Sequence, residues 1–251
     1  GGVKSALILR KITTILLITF SLVLFGCQNA LGPQLQDNSK VKTETKWRVS
    51  SVNDSKIAKI SYKEFNKKGD IITEFEYSED GKLESTSEFT FKNGIRVERE
   101  INYQGSDTIG ILVHNYEMKD GKVIKKTTLD DSGMIIKSEE LLYDANGNVK
   151  ELLVYTDGGN SNETIKYDNQ YTNGSLTSRY TFDNNGSISQ KDSIIYKEDN
   201  HFIKITSDSK GNIFFSTSYT IDDKGNIKSE IIKDSKGAIV DKYIYEFTYY
   251  E

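Results

Sequence analysis

The chain has 251 residues, with 33 Lys and Arg against 37 Asp and Glu, for a net charge of −4. The charges are mixed along the chain and leave no basic stripe, so a nucleic-acid partner is not expected. One cysteine rules out a disulfide framework, and one proline with 15 Tyr and 11 Phe among many Ser, Thr and Ile suits pleated sheet rather than helix.

Taken in order, the first element is a leader. Lys4, Arg10 and Lys11 precede an apolar run from Ile12 to Phe25 that ends Leu24-Phe25-Gly26-Cys27. A basic flank, a short apolar core and a small residue before the cut mark a secretory signal, here a signal helix over 1–26. The run is short for a spanning helix, which needs about 20 apolar residues. Gly26-Cys27 at its end resembles the lipobox of bacterial lipoproteins. That resemblance implies cleavage between Gly26 and Cys27, and a Cys27 acylated, with palmitate among its chains. Gln28 rather than Asp follows, so the resemblance implies no inner-membrane retention and favours the outer membrane or cell surface. With Cys27 acylated, no thiol remains for a metal, and no cofactor is expected. Residues 27–46 are polar and aperiodic, hold Pro33, and read as the lipidated cysteine and a flexible tether.

Residues 47–251 read as one β-repeat domain. Tyr143-Asp144-Ala145-Asn146-Gly147-Asn148-Val149 is an aromatic strand end, a turn and the start of the next strand. Asp opens such a turn by bonding the backbone ahead of it, and Gly accepts positive φ. Close copies run Leu129 to Ile135 (Asp130, Gly133), Phe182 to Ile188 (Asp183, Gly186) and Ile221 to Ile227 (Asp222, Gly225). Alternate turns give two series. One is Gly69, Gly94, Gly121, Gly147, Gly174, Asp199-Asn200, Gly225. The other is Gly81, Gly105, Gly133, Gly159, Gly186, Gly211, Gly237. Each steps by about 26 residues, so the repeating unit is two strands and two turns.

Between turns the residues alternate, as in Ile95, Val97, Arg99, Ile101 and Tyr103 against Arg96, Glu98, Glu100 and Asn102. Period two is the mark of a strand. The inward face is thin: Lys125, Thr127, Lys137, Glu139, Ser178, Gln190 and Asp192 all read as inward in mid-strand. A sandwich wants apolar centres. The expected fold is therefore all-β: an elongated antiparallel meander of about 14 strands, largely a single-layer twisted sheet. Ile239 to Tyr250 reads as a closing element over one end of the array, with 47–65 capping the other.

The Tyr-Asp-x-x-Gly-x-Val form at 143–149, with its Phe182-Asp183 and Leu129-Asp130 relatives, resembles the YD repeats of Rhs-type bacterial proteins and the shorter antitoxin-type repeats. The Gly-x-aliphatic spacing is also similar to the single-layer sheet of the outer surface lipoprotein A of spirochaetes. The resemblance covers residues 60–250 and implies a β-repeat fold displayed at a cell envelope.

Reactive chemistry is sparse. His114 and His201 lie on different repeats with no Cys or second His nearby, which gives no metal cluster. The Asp pairs 130–131 and 222–223 lack the loop length and closing Glu of a calcium hand, and turn formation accounts for them. No nucleophile elbow or phosphate loop occurs. Tyr143, Tyr155, Tyr167, Tyr171, Tyr180 and Tyr196 form either a ladder for sugars or peptides or a set of cross-strand pairs that hold the sheet. The expected protein is not an enzyme. It is a lipid-anchored envelope protein, bound to the membrane by its lipid, that takes a protein or carbohydrate ligand on a sheet face or edge. One alternative is envelope maintenance or immunity, by capping a partner through strand addition. Another is a polysaccharide-active enzyme.

Overall fold

The structure is a computed structural model and describes residues 41–251 apart from 94, 157–159 and 198–199. The leader, Gly26 and Cys27 lie outside the described residues, as does most of the tether. The remaining tether residues, 41–46, form the first half of strand β1 (Val41–Val49). They read as tether because their alternation sets Glu44 and Lys46 against Thr43 and Thr45, with no apolar side to mark a buried face.

Among the described residues there are sixteen antiparallel strands and no helix. After β1 come β2 (Lys56–Phe65), β3 (Ile71–Tyr77), β4 (Leu83–Lys92), β5 (Ile95–Gln104), β6 (Asp107–Lys119), β7 (Lys122–Leu129) and β8 (Ile135–Tyr143). The second half is β9 (Val149–Thr156), β10 (Asn160–Thr172), β11 (Ser175–Phe182), β12 (Ile188–Lys197), β13 (His201–Ser207), β14 (Ile213–Ile221), β15 (Ile227–Asp234) and β16 (Ile239–Tyr249). Each strand pairs with its sequence neighbours, and β16 pairs with β1, so the sheet is a closed barrel. This corrects the expectation of an open sheet of about 14 strands. The final strand does not cover an end; it is one side of the closing seam.

The turns explain the curling. Asp144 accepts the backbone N–H of Asn146 and of Asn148 on one carboxylate oxygen, both at 2.9 Å. Gly147, at φ 85°, donates its N–H to the Asp144 carbonyl at 3.0 Å. Asp130, Asp183 and Asp222 repeat the arrangement. Each such turn leaves a register shift where the strands meet it, between Leu142 and Tyr143, Thr128 and Leu129, Thr181 and Phe182, and Thr220 and Ile221. A bulge bends its strand and increases local twist. Bulges repeated along both margins curl the sheet until its edges meet, and closure removes the exposed edges. The tighter Asp120-Gly121 and Asn173-Gly174 turns hold both residues at positive φ, the geometry of a two-residue hairpin.

The alternating turn series are the two rims. Strand direction puts the turns around Gly69, Gly121, Gly147, Gly174 and Gly225 at one rim, together with Val41 and Tyr249. Those around Gly81, Gly105, Gly133, Gly186, Gly211 and Gly237 form the other. The apolar clusters all sit toward the first rim. One joins Val41, Phe65, Ile71 and Phe89, another Leu176, Ile194, Phe202 and Ile221, and a third surrounds Val149.

Candidate functional site: the charged lumen wall

Alternate residues of each strand are the more buried, and these mark the concave face. On β6 and β7 they are His114, Tyr116, Lys126 and Thr128, and on β12 and β13 Asp192, Ile194, Phe202, Lys204 and Thr206. Barrels of this strand number can hold a lumen, and of the inward side chains Lys46, Lys63 and Glu100 keep 23%, 20% and 24% exposure. The outward face carries exposed charges in mid-strand, such as Glu88, Arg99, Lys166 and Asp168. A lipid-facing belt excludes such charges, so both walls suit water.

Of the residues read as inward, Lys137, Glu139, Gln190 and Asp192 do face the lumen. Lys125, Thr127 and Ser178 do not: their neighbours Lys126, Thr128 and Arg179 are the buried ones, and Lys125 pairs across the outer wall with Glu140 at 3.5 Å. The aromatic row is divided in the same way. Tyr143, Tyr167, Tyr171 and Tyr196 pack into the rim clusters. Tyr155 lies opposite Ser138, and Tyr180 opposite Asp168 and Lys191, on the outer wall.

The lumen wall is a chain of polar pairs. Lys63 stands 3.5 Å from both Glu44 and Glu74. Lys46 donates to Glu230 at 3.0 Å, and Tyr245 donates to the same oxygen at 3.0 Å. Burial lowers the proton affinity of Lys46, but Glu230 outweighs it and the net effect is upward. Thr206 donates to Asp192 at 2.7 Å, and the Lys204 ammonium lies 3.7 Å from the other Asp192 oxygen. Arg179 donates to Asn169 at 2.8 Å.

The densest group lies on β4 to β7. Glu98 and Glu100 project from one face of β5. The β5–β6 register puts His114 directly opposite Glu98. One His114 ring nitrogen, Nε2, is 2.8 Å from Glu100 Oε2; the other, Nδ1, is 2.9 Å from Thr128 Oγ1. Ser87 donates to one Glu98 oxygen at 2.8 Å, and the Tyr116 hydroxyl donates to the other. His114 is 4% exposed. Its hydrogen bond lowers the Glu100 carboxyl below the usual range. Burial lowers the Lys126 ammonium, although Glu98, Glu139 and Glu100 oppose it. His114 carries no sign of this group in the sequence, because its partners are carboxylates of the neighbouring strand rather than His201. Counting back along both strands from the turn at Gly105 sets His114 against Val97, and only the register shift between Asn102 and Tyr103, which the sequence does not mark, moves it onto Glu98.

The repeat-turn residues hold the rims. Asp144 reaches furthest: its second oxygen accepts from Asn169 at 2.9 Å and from Tyr171 at 2.6 Å. Asp130, Gly133, Asp183, Gly186, Asp222 and Gly225 form the other turns already described. A cleft of about 970 Å³ opens beside β10, between Lys150–Glu151, Glu163–Lys166 and the turn Asp183–Gly186. Here β10 pairs with β9 through Lys166 and with β11 from Lys166 onward, a single shared residue. The free Thr164 N–H is taken by Asn184 at 3.3 Å.

No protein-family profile matches the chain, and no curated protein matches it. Among solved structures, it is similar to a porin-like protein from Bacteroides uniformis at 11% identity and TM-score 0.37, over 86% of this chain and 98% of that one. It is similar to a protein of unknown function from Bacteroides fragilis at 13% identity and TM-score 0.25, over 56% and 94%. The TcdB2-TccC3-Cdc42 assembly matches at 9% identity and TM-score 0.16, over 81% of this chain and 18% of that chain.

Proposed function

We propose that the protein is a lipid-anchored component of a bacterial cell envelope, held through Cys27, whose role is to bind a polar ligand rather than to catalyse a reaction. The supporting observation is the lumen wall: a broad concave surface of charged and hydroxyl groups. Its partly exposed members, Lys46, Lys63, Glu100 and Lys137, offer hydrogen-bonding positions to a hydrophilic solute or chain segment. The leader and lipobox supply the address, at the outer membrane or cell surface. Val41 and Tyr249 share one rim, so a tether from Cys27 would set that rim toward the membrane and leave the other facing away. The ligand class that suits this wall is a charged or hydroxylated chain, peptide or carbohydrate.

The test is retention. In a bacterial host fed labelled palmitate, the chain should take up label and stay with the membranes, and Cys27→Ser should do neither. Label-free wild-type chain in the soluble fraction would refute the anchor. Partner capping by strand addition has less support, because closure of β1 on β16 removes the terminal edges such pairing would use.

A further inference from the structure

We propose that Glu98, Glu100 and His114 form a divalent transition-metal site in the lumen wall. Each offers one ligand atom, and the three lie within 4.8 Å of one another. Ligands about 2.1 Å from a tetrahedral ion stand roughly 3.5 Å apart, so small side-chain rotations close the set. Two carboxylates and a neutral imidazole give the charge a dication needs. The mixed N and O donors suit Zn²⁺ or Mn²⁺ better than Mg²⁺, which demands octahedral oxygen.

The surroundings carry the argument further. A metal-binding histidine commonly uses its other ring nitrogen to bond an orienting group, which fixes the ring. Thr128 occupies that position on His114, at 2.9 Å from Nδ1. Ser87 and Tyr116 hold the Glu98 carboxylate from two sides. These contacts keep the donors aimed at one point. Nε2 and Glu100 Oε2, at 2.8 Å, share one proton in the metal-free chain; a bound dication would displace that proton and open the pair toward the ligand spacing of roughly 3.5 Å. Glu100, with its side chain 24% exposed, is the side from which an ion reaches the group. Lys126 is the competing cation, set against Tyr116 and Glu139 across the ladders.

The experiment is calorimetric titration of the full chain with Zn²⁺ alone, and separately with Mg²⁺ alone. One Zn²⁺ per chain should bind at micromolar concentration or tighter, and Mg²⁺ at least tenfold more weakly. His114→Ala and Glu100→Gln should each weaken Zn²⁺ binding at least tenfold. Glu140→Gln on the outer wall should leave it unchanged. Lys126→Met, which removes the competing charge, should tighten it. Should the variants fail to fold, imidazole nitrogen resonances of the wild type decide: Zn²⁺ should shift those of His114 and leave those of His201 in place. Absence of binding below millimolar Zn²⁺, unchanged binding in folded His114→Ala, or a shift at His201 instead would overturn the site.

Discussion

Trp47 donates its indole N–H to Glu246 at 2.8 Å across the seam where the last strand meets the first. The Lys56 ammonium lies 4.5 Å above the same ring and bonds the other Glu246 oxygen at 2.7 Å. The one tryptophan of the chain is therefore a reporter of closure. Glu246 is half in water, with its side chain 51% exposed, so Glu246→Ala should cost less than about 1 kcal/mol. Ile244, which pairs with Trp47 in the ladder, is a harsher test. Ile244→Pro removes a ladder donor and should cost about 3 kcal/mol or more. Tryptophan emission followed through a urea titration checks both. Ile244 also pairs with Ser229 of β15, so an unchanged midpoint in Ile244→Pro would mean that β16 is not held in the ladder at this position.

The turn aspartates are alike in sequence and unequal in reach. Asp183 bonds only its own turn, through Asn185 and Ser187 at 2.9 Å. Asp144 does the same and also takes Asn169 and Tyr171 from β10. Those bonds bridge the step where β10 leaves β9, and Asn169 adds a bond to the Val149 carbonyl at 3.0 Å. Asp144→Ala should therefore cost on the order of 2–3 kcal/mol, since it strips partners from half-buried polar groups. Asp183→Ala should cost clearly less. Burial, with the Asp144 hydrogen bond added, raises the Tyr171 hydroxyl to about 12. In Asp144→Ala it should titrate lower, as read by ultraviolet absorption. Equal urea midpoints for the two variants would remove Asp144 from the support of the β10 step.

How far the fold could be read from sequence follows from the polarity of the lumen. Strand number and rim assignment depend on turns, and turns carry Asp and Gly at fixed spacing. The two glycine series separate into the two rims because every strand reverses direction. Closure carries no such mark. The Val41–Tyr249 pairing joins residues at opposite ends of the chain through backbone groups that every residue has. Facing was legible only where one side of a strand is apolar. At 125–128 the residues are Lys, Lys, Thr, Thr, so both phases look alike, and burial of Lys126 and Thr128 follows from the ladder rather than from composition. The same polarity hid β1 in the tether and hid the Glu98–Glu100–His114 group, whose members meet only when the β5–β6 register is known.

Asp192 and Lys204 offer a test of what the lumen charges contribute. Both are buried, at 7% and 4% exposure. Burial lowers the Lys204 ammonium, and Asp192 only partly restores it. Desolvation of such a pair offsets most of its attraction, whereas removing one member leaves the other uncompensated. Asp192→Leu should therefore destabilise the barrel by about 3 kcal/mol, and Lys204→Met in the wild-type background by a comparable amount. The double variant Asp192→Leu with Lys204→Met should lie within about 1.5 kcal/mol of wild type. Chemical unfolding of the set gives the coupling directly. Additive losses in the double variant would show that the two side chains act through different neighbours.

Glu74 should make stability depend on pH. It is 8% exposed and shares the single Lys63 ammonium with Glu44. One cation does not compensate two carboxylates. Burial raises the Glu74 carboxyl from 4.5 to about 7; Lys63 opposes that rise, and Glu76, Glu98 and Glu44 add to it. The folded protein therefore binds this proton more tightly than the unfolded chain does. Its contribution to stability is complete below the unfolded value of 4.5 and is lost as pH rises through about 7. The loss across that window should be on the order of 2–3 kcal/mol. Urea midpoints at about pH 5 and about pH 8 measure it, with the wild type falling between them. In Glu74→Gln, which has no proton to lose here, the fall should shrink by that amount. The same fall in both proteins would mean that Glu74 is ionised throughout, with Lys63 serving it in preference to Glu44.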